Sequence, residues 1–315
     1  MAENPAADAI EDAGGNARIL ILGAAGQLGR ELLRSFSGLG TVTAADRNSV
    51  DLARPEQIRA MIHRIQPDVI LNAGAYTAVD RAESERELAY AINAEAPRIL
   101  AQEAAKLSAL LVHYSTDYVF DGAKRGPWTE VDPPGPLNAY GASKLAGEQA
   151  IQEAGGKHLI FRTSWVYGAR GQNFLLTMLR LGRERSPLSI VADQVGAPTT
   201  STELARATHR VVAGVLAGRH GAPPNWTGLY HMTCSGQTSW LGFARAIFSR
   251  AAAPLGINVP ELIPITTENY PTPARRPRNS VLSNAKLKES FDVQLPSWES
   301  ALDAVMRTVC SQAQQ

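Results

Sequence analysis

The chain has few cysteines, no apolar run long enough to cross a bilayer, and almost no net charge over its 315 residues. Cys234 and Cys310 are too few for a disulfide framework and form no C-x-x-C pair, which argues against a stapled secreted scaffold or a structural zinc site and fits a reducing cytoplasm. None of the six histidines stands in an H-E-x-x-H or similar zinc spacing. Lysine and arginine number 31 against 30 aspartates and glutamates, so the net charge of +1 gives no electrostatic reason to expect nucleic acid or an anionic membrane as partner. A transmembrane helix needs about 20 mainly apolar residues, and no stretch approaches that. Residues 1–17 are acidic, lack an apolar segment, and read as a disordered tail rather than a secretory leader.

From Arg18 the pattern changes. The run RILILG ends in glycine and passes into a helical period of Leu28, Leu32, Leu33 and Phe36. The alternation recurs in TVTAAD (41–46), a helix at 55–65, PDVILNAG (67–74), a helix at 93–107, ALLVHYST (109–116), a helix at 144–153 and HLIFRTS (158–164). Short strands apolar on both faces, separated by helices, predict parallel βαβ units wound into an α/β, doubly wound Rossmann-type sheet over residues 18–165. Beyond 165, loops such as GAPTTST (196–202) and YPTPARRPRNS (270–280) separate helices expected at 202–217, 239–253 and 297–310. This half, 166–315, reads as a smaller substrate-binding lobe with some segments returning to the core. It is expected to close a cleft over the carboxyl edge of the sheet, where such folds hold ligands.

The first strand-to-helix turn carries Gly23, Gly26 and Gly29 as G-x-x-G-x-x-G, with Gln27 and Leu28 inside it. Backbone N–H groups and the positive end of the helix converge on such a turn, which suits a dinucleotide pyrophosphate. Asp46 ends the second strand 20 residues after Gly26, where a carboxylate can accept from the adenosine ribose. Arg47 follows it and suits a 2′-phosphate, so the pair leaves both NADH and NADPH open. Asp51 and Leu52 are candidates for the adenine edge, and Ala73, Gly74, Ala75 and Tyr76 lie along the expected path of the dinucleotide. Tyr140 and Lys144 stand four apart on a predicted helix and share a face. An ordinary phenol has a pKa of about 10, and a neighbouring ammonium is expected to lower it, so that Tyr140 acts as general acid on a carbonyl oxygen. Lys144 can also hold the nicotinamide ribose, and Thr116, closing the fourth strand, can hydrogen-bond the same carbonyl.

The motifs GAAGQLGREL, NAGAYTAVDRAE, YSTDYVFDG, PLNAYGASKLAGE, FRTSWVYG, DQVGAPT and YPTPARRPRNS resemble those of the extended short-chain dehydrogenase/reductases, and within them the family that reduces dTDP-4-dehydrorhamnose. The similarity runs from Arg18 to about Met306. It implies hydride transfer from NADPH or NADH to C4 of dTDP-4-dehydro-β-L-rhamnose, with the family's threonine, tyrosine and lysine falling on Thr116, Tyr140 and Lys144. Dehydratases of this superfamily carry Thr-Asp-Glu, whereas Thr116-Asp117-Tyr118 lacks that carboxylate base; Asp117 remains a candidate for a sugar hydroxyl. Trp165 is a candidate to stack on the sugar, Arg276 to meet the diphosphate, and Asn173 and Gln194 to contact the substrate. Some relatives form homodimers with a structural magnesium ion held by glutamates, which fall here on Glu31, Glu203 and Glu299. Two other readings stay open: a reductase or epimerase of another nucleotide sugar, and a non-catalytic subunit resembling the regulatory subunit of methionine adenosyltransferase.

Overall fold

A computed structural model describes residues 17–313. Most of the expected disordered tail therefore lies outside the described residues, but Ala17 already pairs in the first strand. The first half runs β1 (Ala17–Leu22), α1 (Gln27–Phe36), β2 (Gly40–Ala45), α2 (Pro55–Ile65), β3 (Val69–Asn72), α3 (Arg86–Tyr90), α4 (Ala96–Lys106), β4 (Leu110–Thr116), α5 (Ala139–Glu153) and β5 (His158–Thr163). The second half adds β6 (Val166–Tyr167), α6 (Phe174–Glu184), β7 (Leu188–Val191), β8 (Val195–Gly196), β9 (Thr199–Thr200), α7 (Ser201–Leu216), β10 (Gly228–His231), β11 (Thr238–Ser239), α8 (Trp240–Leu255), β12 (Leu262–Ile265), α9 (Ala285–Phe291) and α10 (Trp298–Ala313).

Six strands form the central sheet in the order β10-β5-β4-β3-β1-β2, and every pair is parallel. Alternation along β1 explains why its sequence is apolar throughout: Ile19 and Ile21 enter the core on one face, Leu20 and Leu22 the core on the other. The chain moves from β1 outward to β2 and then crosses to β3 on the opposite side. The crevice between the carboxyl ends of β1 and β3 is thus the topological switch point.

Sequence reading missed β10, α6 and α9. The edge strand β10 is only four residues, GLYH, too short for a clear period. The expected helix at 93–107 begins earlier, at Arg86, and passes through a π-turn over Ala91–Glu95. The helix expected through Tyr140, Lys144 and Glu153 begins at Ala139, because the Asn138 side chain accepts from the Gly141 N–H and caps it. Part of the second half returns to the first: α7 packs on α1, its Leu204, Ala205, Val211 and Val212 join the same buried core as Leu32 and Phe36, and β10 completes the sheet beside β5.

Candidate active site

At the switch point the backbones approach closely. Gly23 has φ +74, and a Cβ there would lie 2.6 Å from the Gly74 nitrogen; a Cβ on Gly29 would lie 2.1 Å from the Gly23 carbonyl oxygen. Gly26 donates its N–H to the Gly23 carbonyl at 2.9 Å and stands at the N-terminus of α1. Beside this turn lies a cleft of about 570 Å³ lined by Ala24, Ala25, Asp46, Arg30, Arg34 and Arg170. Asp46 accepts from the Asn48 N–H at 3.0 Å and the Ser49 hydroxyl at 3.2 Å, which holds it below the usual carboxylate range, and Arg47 is exposed next to it. A tight glycine turn, small side chains, a carboxylate at the end of the second strand and nearby guanidinium groups fit a dinucleotide.

Asp51 accepts from the Ala53 N–H, and the Leu52 side chain occupies the place where a Cβ on Gly74 would fall. The turn 73–76 is anchored from behind: the Tyr76 N–H donates to Asn93 Oδ1 at 2.8 Å, and Asn93 Nδ2 donates to the Tyr76 carbonyl and the Ser143 hydroxyl of α5. Asn93 lies in the π-turn, an irregularity that often marks functional sites. Gln27 stands at the start of α1; its side-chain oxygen accepts from Asn173 Nδ2 at 2.8 Å and its amide donates to the Gln172 carbonyl. Leu28 packs on the core.

Thr116 closes β4 and is buried; its hydroxyl donates to Asp117 Oδ1 at 3.1 Å and accepts from the Tyr118 N–H at 3.2 Å. Tyr140, in the first turn of α5, is half-buried, lies near Thr116, and packs edge-on against Tyr118 with ring centroids 5.6 Å apart. The structure corrects the expected electrostatics. Burial pushes the phenol up to about 12, the nearby Thr116 hydroxyl opposes this, and the Asp117 charge adds to it. Lys144 does not lower the value, because its Nζ is drawn to acceptors on β4: it donates to the Tyr114 carbonyl at 2.6 Å and contacts His113 Nε2 at 3.1 Å. Burial pulls Lys144 itself down to about 8, partly offset by Glu148. Asp117 is buried with Oδ2 unpartnered, and burial pushes its carboxyl up to about 6 against hydrogen bonds from Ser280 and Thr116.

Trp165 follows β5 with φ 48, a left-handed conformation rare for a tryptophan, and its half-buried ring stacks on Trp240 at 3.6 Å, so one face is already occupied by an indole. Gln194 holds Trp240: its Oε1 accepts from the indole Nε1–H at 3.1 Å, and its Nε2 donates to Thr267. Asn173 is the N-cap of α6, accepting from the Leu176 N–H while its Nδ2 donates to Gln27 and to the Gly168 and Arg170 carbonyls. Both polar ends of Gln194 and Asn173 are engaged inside the protein. Arg276 makes a bidentate pair with Asp80, at 3.0 and 2.8 Å, and also donates to Thr272 and the Ala274 carbonyl. The positive charge of Arg276 reaches Tyr118 and so lies on the tyrosine side of the site.

The three glutamates do not gather. Glu31 and Glu203 line one cleft of about 460 Å³, but Glu31 pairs with Arg34 and accepts from Thr202, Glu203 pairs with Arg206, and Glu299 is exposed. Among the described residues no three acidic, histidine or cysteine side chains could hold a metal ion together, so within one chain the site does not fit magnesium.

Sequence reading did not find Asp80, Trp240, Asn93 or His113. Asp80 lies within AVDRAE, and its partner is 196 residues away. His113 had a weak signal: alternation along β4 puts it on the face opposite Thr116, the face that α5 covers through Ile151.

A parallel sheet with a glycine turn at its switch point and a Tyr-x-x-x-Lys helix alongside is the architecture of the extended short-chain dehydrogenase/reductases. More narrowly, the chain belongs to the family described as the RmlD substrate binding domain, whose model matches residues 17–311. A dTDP-4-dehydrorhamnose reductase from Burkholderia thailandensis is 50% identical over 300 residues, covering 94% of this chain and 100% of that one. The Escherichia coli K12 dTDP-4-dehydrorhamnose reductase is 46% identical over 288 residues, covering 89% and 94%. A crystal structure of the Bacillus anthracis dTDP-4-dehydrorhamnose reductase in complex with NADP superposes with a TM-score of 0.84 at 38% identity, covering 93% of this chain and 99% of that one.

Proposed function

We propose that the protein reduces the C4 ketone of dTDP-4-dehydro-β-L-rhamnose, using NADPH or NADH, to give dTDP-L-rhamnose. The reading is carried by the nearness of Thr116, at the carboxyl end of β4, to Tyr140, in the first turn of α5, next to the glycine-lined crevice between β1 and β3. Bound in that crevice, the reduced nicotinamide supplies a hydride. Tyr140, held protonated by burial, donates its phenolic proton to the ketone oxygen, and Thr116 orients that oxygen by a hydrogen bond. Donation is favoured once the hydride arrives, because the alkoxide then forming is far more basic than a phenolate. Lys144 supplies positive charge on the same helix to stabilise the phenolate left behind, provided its Nζ turns from β4 toward the phenol. Trp165, backed by Trp240, walls the sugar, Arg276 faces the diphosphate, and Asp117 accepts from a sugar hydroxyl.

Residues 18–165 serve in this reading as the dinucleotide core and 166–315 mainly as the substrate lobe. A cytoplasmic homodimer belongs to the same reading, and sedimentation of the purified chain tests its dimer part. Activity is tested by mixing the protein with NADPH and enzymatically prepared dTDP-4-dehydro-L-rhamnose and following loss of reduced-nicotinamide absorbance. Oxidation that requires both protein and sugar is expected; oxidation no faster than the protein-free control would overturn the assignment.

A further inference from the structure

Behind the tyrosine a buried polar chain crosses from α5 through two strands to the residue-74 turn. Lys144 Nζ lies 3.1 Å from His113 Nε2, His113 Nδ1 lies 3.0 Å from the Asn72 side-chain amide, and Asn72 Oδ1 accepts from the Gly74 N–H at 3.3 Å. Lys144, His113 and Asn72 are each 1% exposed, so water does not substitute for a missing partner.

Counting donors and acceptors favours one arrangement for each charge state of the lysine; a neutral amine that donated to Nε2 would leave its own buried lone pair unpartnered. In the first, Lys144 is charged and donates to Nε2; the ring then carries its proton on Nδ1, Asn72 must turn its oxygen to the ring, and the Gly74 N–H is released as a free donor. In the second, Lys144 is a neutral amine that accepts from Nε2–H; Nδ1 accepts from the Asn72 amide N–H, and the Asn72 oxygen holds the Gly74 N–H. Lys144 donates to the Tyr114 carbonyl in both. Which nitrogen carries the ring proton and which way the amide faces are thereby set by the lysine's charge.

The surroundings isolate this exchange. Burial and the Lys144 charge hold the His113 ring neutral, so it passes on a hydrogen-bond polarity without charging. The charged groups nearby are Glu148, one turn further along α5, and Arg162 of β5, and these are locked to each other at 2.9 and 2.6 Å. Asp117 and Tyr140 lie on the Thr116 side. From β3 and the π-turn, Asn72 and Asn93 bring no charge.

We infer that His113 and Asn72 are positioning residues that couple the charge of Lys144 to the hydrogen bond of the Gly74 amide. The charged lysine then goes with a Gly74 N–H free for a bound ligand, and the discharged lysine with one already occupied. The inference rests on the reading of Lys144 and the residue-74 turn as parts of the reductase site.

The test is a pH titration by NMR of the full-length chain without cofactor or sugar, labelled at glycine amides and lysine Cε. Only five other lysines compete for assignment, Lys106, Lys124, Lys157, Lys286 and Lys288. The Lys144 Cε signal is expected to titrate near pH 8 and the Gly74 amide to move with the same midpoint. In His113→Phe the lysine loses an acceptor, its midpoint falls by about one pH unit, and the Gly74 amide no longer moves. His113→Gln keeps a polar contact with Lys144 but cannot span to Asn72, so there the lysine still titrates and Gly74 is silent. A Gly74 amide that stays fixed while Lys144 titrates in the wild type, or that still follows it in either folded variant, overturns the inference. Because neither cofactor nor sugar is present, a failed NADPH oxidation assay leaves these titrations readable, and the two ideas fail separately.

Discussion

Asp117 is a charge placed where water cannot reach it, and Asp117→Asn should therefore stabilise the protein at alkaline pH. The carboxyl is 2% exposed, Oδ2 has no partner, and burial raises its pKa from an ordinary 3.8 to about 6. A carboxyl with a raised folded-state value contributes fully below its unfolded value and loses that contribution as pH rises through the folded value. At about 1.4 kcal/mol per unit, the shift means that ionised Asp117 costs about 3 kcal/mol at pH 8, as an order of magnitude. An amide keeps the acceptor for Thr116 and Ser280 and never ionises. Thermal unfolding of wild type and Asp117→Asn should coincide near pH 3.5, separate between about pH 4 and 6, and differ above pH 6 by on the order of 5 °C in favour of the variant. The same variant should bind the sugar nucleotide more weakly, a trade of stability for function common at active sites. A gap between the two Tm values that does not change from pH 3.5 to 8 would refute the reasoning, because the cost would then not come from ionisation.

Tyr140→Phe should lower kcat by at least about 100-fold while leaving NADPH binding, read by quenching of protein fluorescence, little changed; near wild-type turnover would exclude the phenol as acid. Trp240→Leu removes the ring that backs Trp165, whose φ of 48 needs external support, and should raise KM for the sugar nucleotide by up to about tenfold with KM for NADPH unaltered; an equal rise in both would point to general loosening. Arg47→Ala should weaken NADPH by about tenfold and leave NADH unaffected, since only NADPH carries the 2′-phosphate that an exposed guanidinium can meet; equal affinities before and after would remove Arg47 from coenzyme choice.

The sheet was legible because its signals are local. Strands apolar on both faces, such as Val69–Asn72, and the glycine turn at 23–29 are written within a few consecutive residues, and the close approach of Gly23 to Gly74 needs no side chain at either position. The tyrosine and lysine positions were also legible, since residues four apart on one helix share a face. What they do there was not. The direction of Lys144 depends on the Tyr114 carbonyl and His113, residues some thirty positions earlier whose nearness to α5 exists only once β4 pairs with β5. The same holds for Asn173 and Gln194: each looked available to a ligand in the sequence, and each spends both polar ends on partners such as Gln27 and Trp240 that only tertiary packing supplies. The glutamates do not meet within one chain because residues 31, 203 and 299 sit on three different helices, and the first two pair instead with arginines three residues further along their own helices.

Transfer of the nicotinamide hydride to C4 of the sugar can be followed atom by atom. NADPH deuterated at either face of nicotinamide C4 is incubated with the wild-type chain and dTDP-4-dehydro-L-rhamnose, and the product is read by proton and deuterium NMR. One of the two labelled faces should deliver its deuterium to C4 of the deoxysugar and nowhere else. Deuterium at C3 or C5, or a sugar that returns unlabelled with both preparations, would contradict reduction at C4.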